Sequence, residues 1–340
     1  MHATTIGLDI AKSVFQIHAE DETGRVVLRK RLTRHQLLRF FAQHPPALIG
    51  MEACGSAHHW GRELEKLGHQ VKLMPASYVK PFVKRNKTDG HDAEGCCEAV
   101  KRPSMRFVRV KSIAQQCERG LQRSRDLLVR QRTQLMNAMR GLLAEMGIVA
   151  GQGLIGFAKL AAIVKDKDKA IPPELLPCLE TMLRQWQGLE TETRRLEALI
   201  VKRVKQNEPM RRLMGAPGVG PLTAHATLAA VGDASQFRSA RDFAAWLGLT
   251  PKQHSSGNKL RSAGISRQGD KALRRLFILG ASATLRQARN RPDRASPWVN
   301  AILARRPVKV AVVAQAAKTA RIVWALLVSG ESYRARPRAA

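Results

Sequence analysis

Short apolar segments separated by turn residues fill the first hundred residues of the chain. Alternating apolar and polar residues predict β-strands at 6–10, 14–19 and 26–30, separated by Lys-Ser and by Asp-Glu-Thr-Gly. The elements predicted next are a helix at 34–43, a strand at 47–52, a helix at 58–66, a strand at 71–74 and a helix at 89–101. Strands that alternate with helices after an opening meander indicate an α/β layer fold, to which we assign residues 1–102.

Two long helical stretches with a seven-residue repeat follow. In the first, leucine recurs at every seventh position, at Leu121, Leu128, Leu135 and Leu142. In the second, from Met182 to Ile200, apolar residues alternate steps of four and three. This spacing is typical of coiled coils, so residues 103–208 are predicted to be a coiled-coil linker or oligomerisation region. The pattern leaves open whether the helices pair within one chain or between subunits, and 172–177 is the predicted turn.

The rest of the chain predicts a third, helical domain over residues 209–330. Its apolar runs are short, and the glycine- and proline-rich segment 215–221 interrupts the first two of them. Residues 331–340 carry several arginines and are predicted to be a basic tail. The expected architecture is therefore one α/β domain, a long helical hairpin and a C-terminal all-α domain.

The charge balance indicates a polyanionic partner. The 340 residues include 58 Lys and Arg but only 27 Asp and Glu, a net charge of +31, and 44% are hydrophobic. The hydrophobic fraction excludes a disordered polycation, and the excess of cations predicts nucleic-acid binding through phosphate neutralisation. Aromatic residues make up only 5%, which disfavours a single-strand binder that stacks bases. A membrane surface or the ribosome is the alternative partner of so basic a chain.

Hydropathy and cysteine usage favour a cytoplasmic, nucleoid-associated protein. No continuous run approaches the roughly 18 apolar residues of a membrane helix, and the chain begins directly with a predicted strand rather than a signal peptide. The five cysteines lack metal-ligand spacing, which fits reduced thiols. Cys96 and Cys97 lie in a predicted helix and are expected to be buried.

Four acidic residues occupy positions that one edge of a sheet could gather. Asp9 and Glu52 end predicted strands, while Asp89 and Asp92 share one face at the start of a helix. Carboxylate oxygens suit Mg²⁺ or Mn²⁺, and two such ions about 4 Å apart can orient the attacking and leaving oxygens of a phosphoryl transfer. The structural alternative makes Asp89 a helix N-cap and Glu52 a surface acid. The strand-end placement favours the metal site.

A segment with two serines contains a candidate nucleophile. Ser255 and Ser256 precede a glycine, with His254 and Lys259 nearby. A serine hydroxyl that attacked a phosphodiester would form a phosphoserine and conserve the bond energy for rejoining. Spacing alone favours the alternative, a loop whose amides and lysine hold a phosphate without reacting.

Glycines and cations of the third domain predict a platform for nucleic-acid backbones. Pro-Gly-Val-Gly at 217–220 resembles the hairpin of a helix-hairpin-helix module, and a plain helix-to-helix turn is the alternative. Downstream, a capped basic helix would carry cations to phosphates. The predicted nucleic-acid-binding residues are Gly218, Gly220, Lys259, Arg267, Lys271, Arg274 and Arg275.

Five motifs, in order, resemble the DEDD transposases of the IS110 family and its IS1111 subgroup, with Piv-type DNA invertases as relatives. The resemblance runs from Gly7 to about Arg289. The motifs are Gly-Leu-Asp at 7–9, Met-Glu-Ala-Cys-Gly-Ser at 51–56, Lys-Thr-Asp-x-x-Asp-Ala-Glu at 87–94, Pro-Gly-Val-Gly at 217–220, and Ser-Ser-Gly at 255–257 followed by Gly-Ile-Ser-Arg-x-Gly-Asp at 264–270.

The resemblance implies more than the composition does. The N-terminal domain would be RNase H-like (RuvC-like), and the C-terminal domain would supply a serine for strand exchange. The acids of one subunit would complete a site with the serine of another, so a homo-oligomer (a dimer or tetramer) is implied. Double-stranded DNA of the element ends and target would be the substrate, and a structured bridge RNA the guide that pairs with it. The implied catalytic and metal-binding acids are Asp9, Glu52, Asp89 and Asp92.

The serine motif departs from the family pattern at one position. The family usually has Ser-Ser/Thr-Gly-Gly-Lys, and Asn258 stands here in place of the second glycine. Asn tolerates left-handed backbone angles, so the turn can be kept. Relatives with Thr in the second place favour Ser255 as the nucleophile, and Ser256 stays open.

Three other functions compete with a transposase. A RuvC-like junction-resolving nuclease shares the acids but uses water as the nucleophile and needs no serine. An actin- or sugar-kinase-like ATPase begins with a similar phosphate loop, but its second Asp-Gly loop has no counterpart in this sequence. An inactive DNA-binding protein of a decayed element is the third, and the intact set of four acids disfavours it.

Overall fold

The computed structural model describes residues 3–84, 88–253, 255–256 and 262–334. The chain forms two compact units, Met1–Ala114 and Gln115–Ala340. The N-terminal unit corresponds to the predicted α/β domain with a few residues added. The predicted boundary at 208/209 lies inside the second unit, and the three-part division stays a prediction.

The N-terminal unit is built on a five-stranded mixed sheet. Its strands are β1 (Thr5–Ile10), β2 (Val14–Glu20), β3 (Val26–Thr33), β4 (Leu48–Glu52) and β5 (Gln70–Met74). Its helices are α1 (Arg34–Ala42), α2 (Ala57–Lys66), α3 (Ala76–Val79) and α4 (Asp89–Val100), with a short 3-10 turn at Lys80–Phe82. The strand order is β3-β2-β1-β4-β5, in which β1 pairs antiparallel with β2 and parallel with β4. This mixed sheet confirms the α/β class and is consistent with an RNase H-like domain.

The two faces of this sheet are covered differently. Alternating residues of β1 and β4, such as Leu8 and Met51, are fully buried against the apolar sides of α1 and α2. The opposite face is covered by α4, which contacts β1, β2 and β4. The acids that begin α4 therefore lie on the same side of the sheet as the residues that alternate with Leu8 and Met51.

The second unit is mostly helical. Its helices are α5 (Ile113–Glu145), α6 (Gly153–Lys165), α7 (Leu176–Gln206), α8 (Glu208–Leu213), α9 (Pro221–Val231), α10 (Ala240–Trp246), α11 (Lys271–Asn290), α12 (Pro297–Arg305) and α13 (Val308–Ser329). Short 3-10 turns lie at Ala234–Gln236 and Pro292–Arg294. A two-stranded antiparallel hairpin, β6 (Pro251–Gln253) and β7 (Ser262–Ile265), interrupts the helices. The sequence pattern predicted helices alone in this region and missed the hairpin.

The long helices α5 and α7 are joined by ion pairs within one chain. Glu118 pairs with Arg203, Arg125 with Glu197, and Arg132 with Glu190. Positions rise along α5 as they fall along α7, so the two helices run antiparallel. The interaction is thus intramolecular in this chain, and the coiled coil itself stays a prediction.

The segment between α5 and α7 holds an additional helix where only a turn was predicted. Phe157 and Leu160 of α6 are buried with Met139 of α5 and Leu179 of α7 in one apolar cluster. Because α6 is apolar around most of its surface, its sequence carries no clear helical stripe. The helix therefore closes the end of the arm formed by α5 and α7.

The C-terminal core gathers apolar residues of α8 to α11 and of α13. Phe243, Phe277 and Val323 are nearly or fully buried in it. By length and composition α13 could cross a membrane, but its alanine-rich face is buried against this core, as at Ala316 and Ala320. Burial of 39% of this apolar window inside the protein accounts for part of its apolar character.

Candidate active site

Two of the predicted acids end neighbouring parallel strands. Asp9 is the fifth residue of β1, and Glu52 is the last residue of β4. The register pairs Leu8 with Met51, so the acids follow at the same level of the sheet. Both side chains are partly buried. The strand pairing alone therefore brings Asp9 and Glu52 to one edge.

The other two acids begin α4. Thr88, rather than Asp89, is the N-cap of this helix, and its Oγ1 accepts a hydrogen bond from the amide of His91 at 3.3 Å. This overturns the structural alternative for Asp89. Asp89 and Asp92 lie in the first turn, where the helix dipole favours negative charge.

The strand end and the helix start converge. Carboxylate oxygens of Asp9, Asp89 and Asp92 all lie within 4.8 Å of one another. Burial, together with the charges of Asp92, Asp89 and Glu52, raises the pKa of Asp9 from 3.8 to about 6. Burial and the charges of Glu52 and Asp9 also raise the pKa of Cys54. Asp92, Asp89 and Glu52 therefore lie close enough to Asp9 for their charges to disfavour its ionised form.

This donor set fits a hard divalent cation. Its ligand atoms are carboxylate oxygens, which Mg²⁺ and Mn²⁺ prefer to nitrogen or sulfur. A bound cation would also remove the repulsion that raises the pKa of Asp9. Asp9, Asp89 and Asp92 could hold such an ion directly, and Glu52 adds charge next to them.

A second group of metal-ligand residue types is explained differently. His18 and Glu20 of β2 are buried close to Cys97 of α4, where the helix packs on the strand. Glu20 accepts hydrogen bonds from the Lys101 ammonium at 2.6 Å and interacts with His18 Nε2 at 3.1 Å, while burial raises the pKa of Cys97 to about 12. Lys101 thus already supplies the positive charge, and the group ties α4 to β2. The expectation that Cys96 and Cys97 are buried is confirmed.

The candidate nucleophiles lie in the other unit. Ser255 and Ser256 are exposed and begin two residues after the last residue of β6. His254, Lys259 and Asn258 lie outside the described residues. Because β6 is itself exposed, the serine hydroxyls are accessible from solvent in this unit.

The two glycines of the Pro-Gly-Val-Gly segment play different parts. Gly218 has a left-handed backbone (φ 79°), and a Cβ there would lie 2.8 Å from the backbone of Gly280 in α11. Gly218 is therefore required by packing inside the unit. Gly220 is the partly exposed N-cap of α9, and a Cβ added there would meet nothing within 4 Å, so packing does not require a glycine at this position.

The predicted cations also divide into engaged and accessible side chains. Arg274 is buried and donates to the carbonyl oxygens of Leu247 at 3.0 Å and Gln268 at 2.5 Å. Arg275 donates to Asp126 Oδ1 at 2.7 Å. Lys271, the first residue of α11, and Arg267 are exposed, and the latter has an unusual left-handed backbone (φ 58°). Burial of Arg274 disfavours its predicted role as a phosphate contact.

An arginine-lined cavity was missed by the sequence pattern. It has a volume of about 440 Å³ and lies between α5 and the start of α11. Arg119, Arg123 and Arg130 of α5 line it together with Asp126 and Asp270. The spacing of these arginines, at i, i+4 and i+11 along α5, places them on one face of the helix and was the available signal.

Two family models match the parts of the chain that contain the acids and the serines. A model described as a transposase of the IS110 DEDD type matches residues 6–148, and one described as the transposase IS116/IS110/IS902 family matches 210–296. The first range contains all four acids, and the second contains both serines. The comparison thus covers the same two groups of residues that the structure places in separate units.

Known relatives agree with these matches, two of them over nearly the full length of the chain. A "Probable family 20 transposase" of Pseudomonas aeruginosa is 46% identical over 98% of this chain and 99% of that protein. The "Transposase for insertion sequence element IS1111A" of Coxiella burnetii is 41% identical over 97% of this chain and 91% of that protein. The "Pilin gene-inverting protein" of Moraxella bovis is 32% identical over 29% of this chain and 31% of that protein. The chain therefore belongs to the IS116/IS110/IS902 family of insertion-sequence transposases.

Proposed function

We propose that this transposase breaks and rejoins DNA through a metal-dependent acidic site and a covalent phosphoserine. The observation that carries the proposal is the convergence of Asp9, Asp89 and Asp92 within 4.8 Å, with Glu52 on the adjacent strand. An acidic cluster in a protein of net charge +31 is unexpected unless a cation and a phosphate meet there. The full-length similarity to transposases supports the same reading.

The acids act as holders of Mg²⁺ or Mn²⁺. Such an ion, when bound, stabilises negative charge on the attacking and leaving oxygens of a phosphodiester. Asp9 and Glu52 stand on a rigid sheet, whereas Asp89 and Asp92 stand on the first turn of a helix, so their spacing is fixed by the packing of α4 on the sheet. Rigid supports of this kind keep ligands at a constant geometry.

Ser255 is the proposed nucleophile, with Ser256 as the alternative. The serine Oγ forms a bond to phosphorus, the bond from phosphorus to the leaving deoxyribose oxygen breaks, and that oxygen takes up a proton while the serine loses one. One phosphoester replaces another, so no external energy source is required for rejoining. The exposure of both serines is compatible with attack on a DNA strand.

DNA backbones are proposed to contact the partly exposed glycine and the exposed cations of the second unit. Gly220 is the partly exposed N-cap of α9, and Lys271 and Arg267 offer charge. The sequence is proposed to be read by a bridge RNA through base pairing. The active assembly is proposed to be a homodimer or tetramer in which the acids and the serine come from different subunits.

Capture of the covalent intermediate tests the chemistry. Full-length protein is incubated with labelled element-end DNA and Mg²⁺, then denatured, and label that stays on the protein is mapped by mass spectrometry. We expect label on Ser255 that disappears in Ser255→Ala, whereas Ser235→Ala, a change to a surface serine bonded to Asp233, retains it. Strand cleavage without protein-bound label, and unchanged in both Ser255→Ala and Ser256→Ala, would show a water nucleophile and a junction-resolving nuclease instead.

Ribonuclease treatment tests the guide. Protein purified with its bound nucleic acid is treated with ribonuclease A before the strand-exchange assay. We expect strand exchange to be lost and to return when RNA transcribed from the element is added. Full activity after complete RNA removal would exclude the guide and leave the acidic site unaffected.

A further inference from the structure

Two glycines lie side by side in the sheet beneath α4. Gly7 of β1 and Gly50 of β4 are partners in the parallel register. Neither has a left-handed backbone, so conformational freedom does not explain their presence. The presence of glycine at these two positions is explained instead by the limited space between the sheet and α4.

That space is filled by the backbone of α4. A Cβ added at Gly7 would lie 1.9 Å from the carbonyl oxygen of Ala93 and 2.5 Å from the amide nitrogen of Cys97. A Cβ added at Gly50 would lie 2.8 Å from the carbonyl oxygen of Cys96. Glycine in a strand commonly marks such a close approach of another backbone. The helix therefore rests directly on this pair of strand positions.

Each glycine stands two residues before an acid on its own strand. Side chains alternate between the faces of a sheet, so Gly7 and Asp9 share one face, as do Gly50 and Glu52. The same face carries α4, which begins with Asp89 and Asp92. Ala93, whose carbonyl oxygen lies over Gly7, directly follows Asp92 in the chain.

We propose that Gly7 and Gly50 are positioning residues, which set the distance of α4 from the sheet and so bring the helix acids to the strand acids. This inference rests on the proposed metal site. A side chain at either position lifts α4, because backbone atoms cannot move aside as side-chain ends do. A displacement of about 1 Å is enough to weaken a catalytic arrangement about a hundredfold.

An added side chain should weaken metal binding more at Gly7 than at Gly50. At Gly7 the nearest obstacle, at 1.9 Å, is the carbonyl oxygen of Ala93, the residue after Asp92. At Gly50 the nearest obstacles, at 2.7 and 2.8 Å, belong to Val100 and Cys96, two turns and one turn further along α4 than Asp92. Gly61 of α2 offers a matched control in the same unit. A Cβ there would meet the side chain of Val110 at 2.9 Å, on the opposite face of the sheet from α4.

The test compares Gly7→Ala, Gly50→Ala and Gly61→Ala in the full-length protein. The first measurement is Mn²⁺ affinity by titration calorimetry, with Asp92→Asn to identify binding at the acidic cluster. We expect affinity to fall by about tenfold or more in Gly7→Ala, less in Gly50→Ala, and to be unchanged in Gly61→Ala. Wild-type affinity in a folded Gly7→Ala protein would overturn the proposal.

The second measurement needs no metal. Cys97 is fully buried, and its Cβ would lie 2.9 Å from a Cβ at Gly7. Alkylation of Cys97, mapped by mass spectrometry, should be faster in Gly7→Ala than in wild type and unchanged in Gly61→Ala. If wild-type protein binds no Mn²⁺ at the cluster while Cys97 still becomes reactive, the metal site fails and the positioning of α4 stands. If Gly7→Ala does not fold, Mn²⁺ affinity and Cys97 alkylation are compared between Gly50→Ala and wild type instead. Wild-type values of both in Gly50→Ala would then overturn the proposal.

Discussion

The acids of the N-terminal unit and the acids along α5 are surrounded in opposite ways. Asp9 faces three other acids, and its pKa is raised to about 6 by burial and by their charges. Asp126 instead interacts with Arg125 and Arg275, at 3.3 and 2.7 Å. Burial acts to raise the pKa of Asp270 too, yet hydrogen bonds from the Leu273 amide and from Arg119 hold it below its usual value.

This difference in charge surroundings distinguishes acids that stabilise the fold through ion pairs from acids that lie close to one another. Paired acids join α5 to α11 and stabilise the unit. The raised pKa of Asp9 means that its charge opposes folding, and perturbed carboxylates of this kind cluster at functional sites. Charge environment therefore distinguishes the two groups, although both consist of acids near a helix end or a helix face.

The largest expected effect is on activity and comes from the facing acids. Asp92→Asn should lower strand cleavage by about a thousandfold, because it removes a carboxylate at which transition-state charge is to be stabilised. A cleavage assay on element-end DNA measures it, with nucleic-acid binding measured in parallel and expected to be unchanged. Glu22→Gln, a change to an exposed acid in the same unit, is the control. Full cleavage by Asp92→Asn would remove this acid from the proposed site.

The next effect concerns the paired acids. Asp126→Ala leaves Arg275 and Arg125 without this carboxylate partner, and we expect the free energy of unfolding to fall by about 2 kcal/mol, since Arg275 is partly exposed. Chemical denaturation measures the change. Glu192→Ala, which removes an exposed partner of Arg195, should change it by less than about 0.5 kcal/mol. Equal effects of the two variants would contradict the distinction.

Replacing one of the acids that face each other is expected to raise the free energy of unfolding rather than lower it. Asp9→Asn removes one of the repelling charges, so the metal-free protein should become more stable. The raised pKa corresponds to about 3 kcal/mol at most, and solvent screening of the half-buried group reduces this to about 1 kcal/mol, or about 4 °C in thermal midpoint. Added Mg²⁺ should then stabilise wild type more than the variant. A loss of stability in Asp9→Asn would show that its charge is already balanced.

The smallest expected effect is a pH dependence of the difference in stability between wild type and Asp9→Asn. Asp9 takes up its proton at about pH 6 in the folded state but near 3.8 when exposed. The destabilisation caused by its charge is therefore present above pH 6 and disappears as the pH falls from 6 to 4. The stabilities of wild type and Asp9→Asn should converge over this range in metal-free denaturation experiments. A constant difference from pH 7.5 to pH 4 would contradict the raised pKa.

The acidic site was predictable because local patterns fix its parts. Asp9 and Glu52 end strands that apolar alternation reveals, and parallel strands deliver their ends to one edge. The first turn of α4 is marked by Thr88 as its cap. The close approach of α4 was not predictable, because nothing in a single sequence tells which glycine of a strand lies under a helix.

The second unit was harder to predict because its buried residues are partly polar. The heptad leucines, such as Leu121 and Leu128, are only half-buried, whereas Gln122 and Asp126 beside them are buried. Gln122 interacts with the buried His225 at 2.7 Å, which compensates its desolvation. A buried polar network has no hydrophobic signature, so the face that α5 turns inward differs by one residue from the predicted one.

The ion pairs between α5 and α7 also have a mechanical consequence. An α-helix of 33 residues extends about 50 Å, close to the length of 15 base pairs of duplex DNA. The ion pair between Arg132 and Glu190 holds α5 against α7 at a point on the helix far from the contact with His225. The two helices therefore form a rigid rod rather than a flexible linker. Whatever is bound at one end of the arm is kept at a constant distance from whatever is bound at the other. Insertions or deletions in α5 should therefore be tolerated only when α7 changes by the same number of turns.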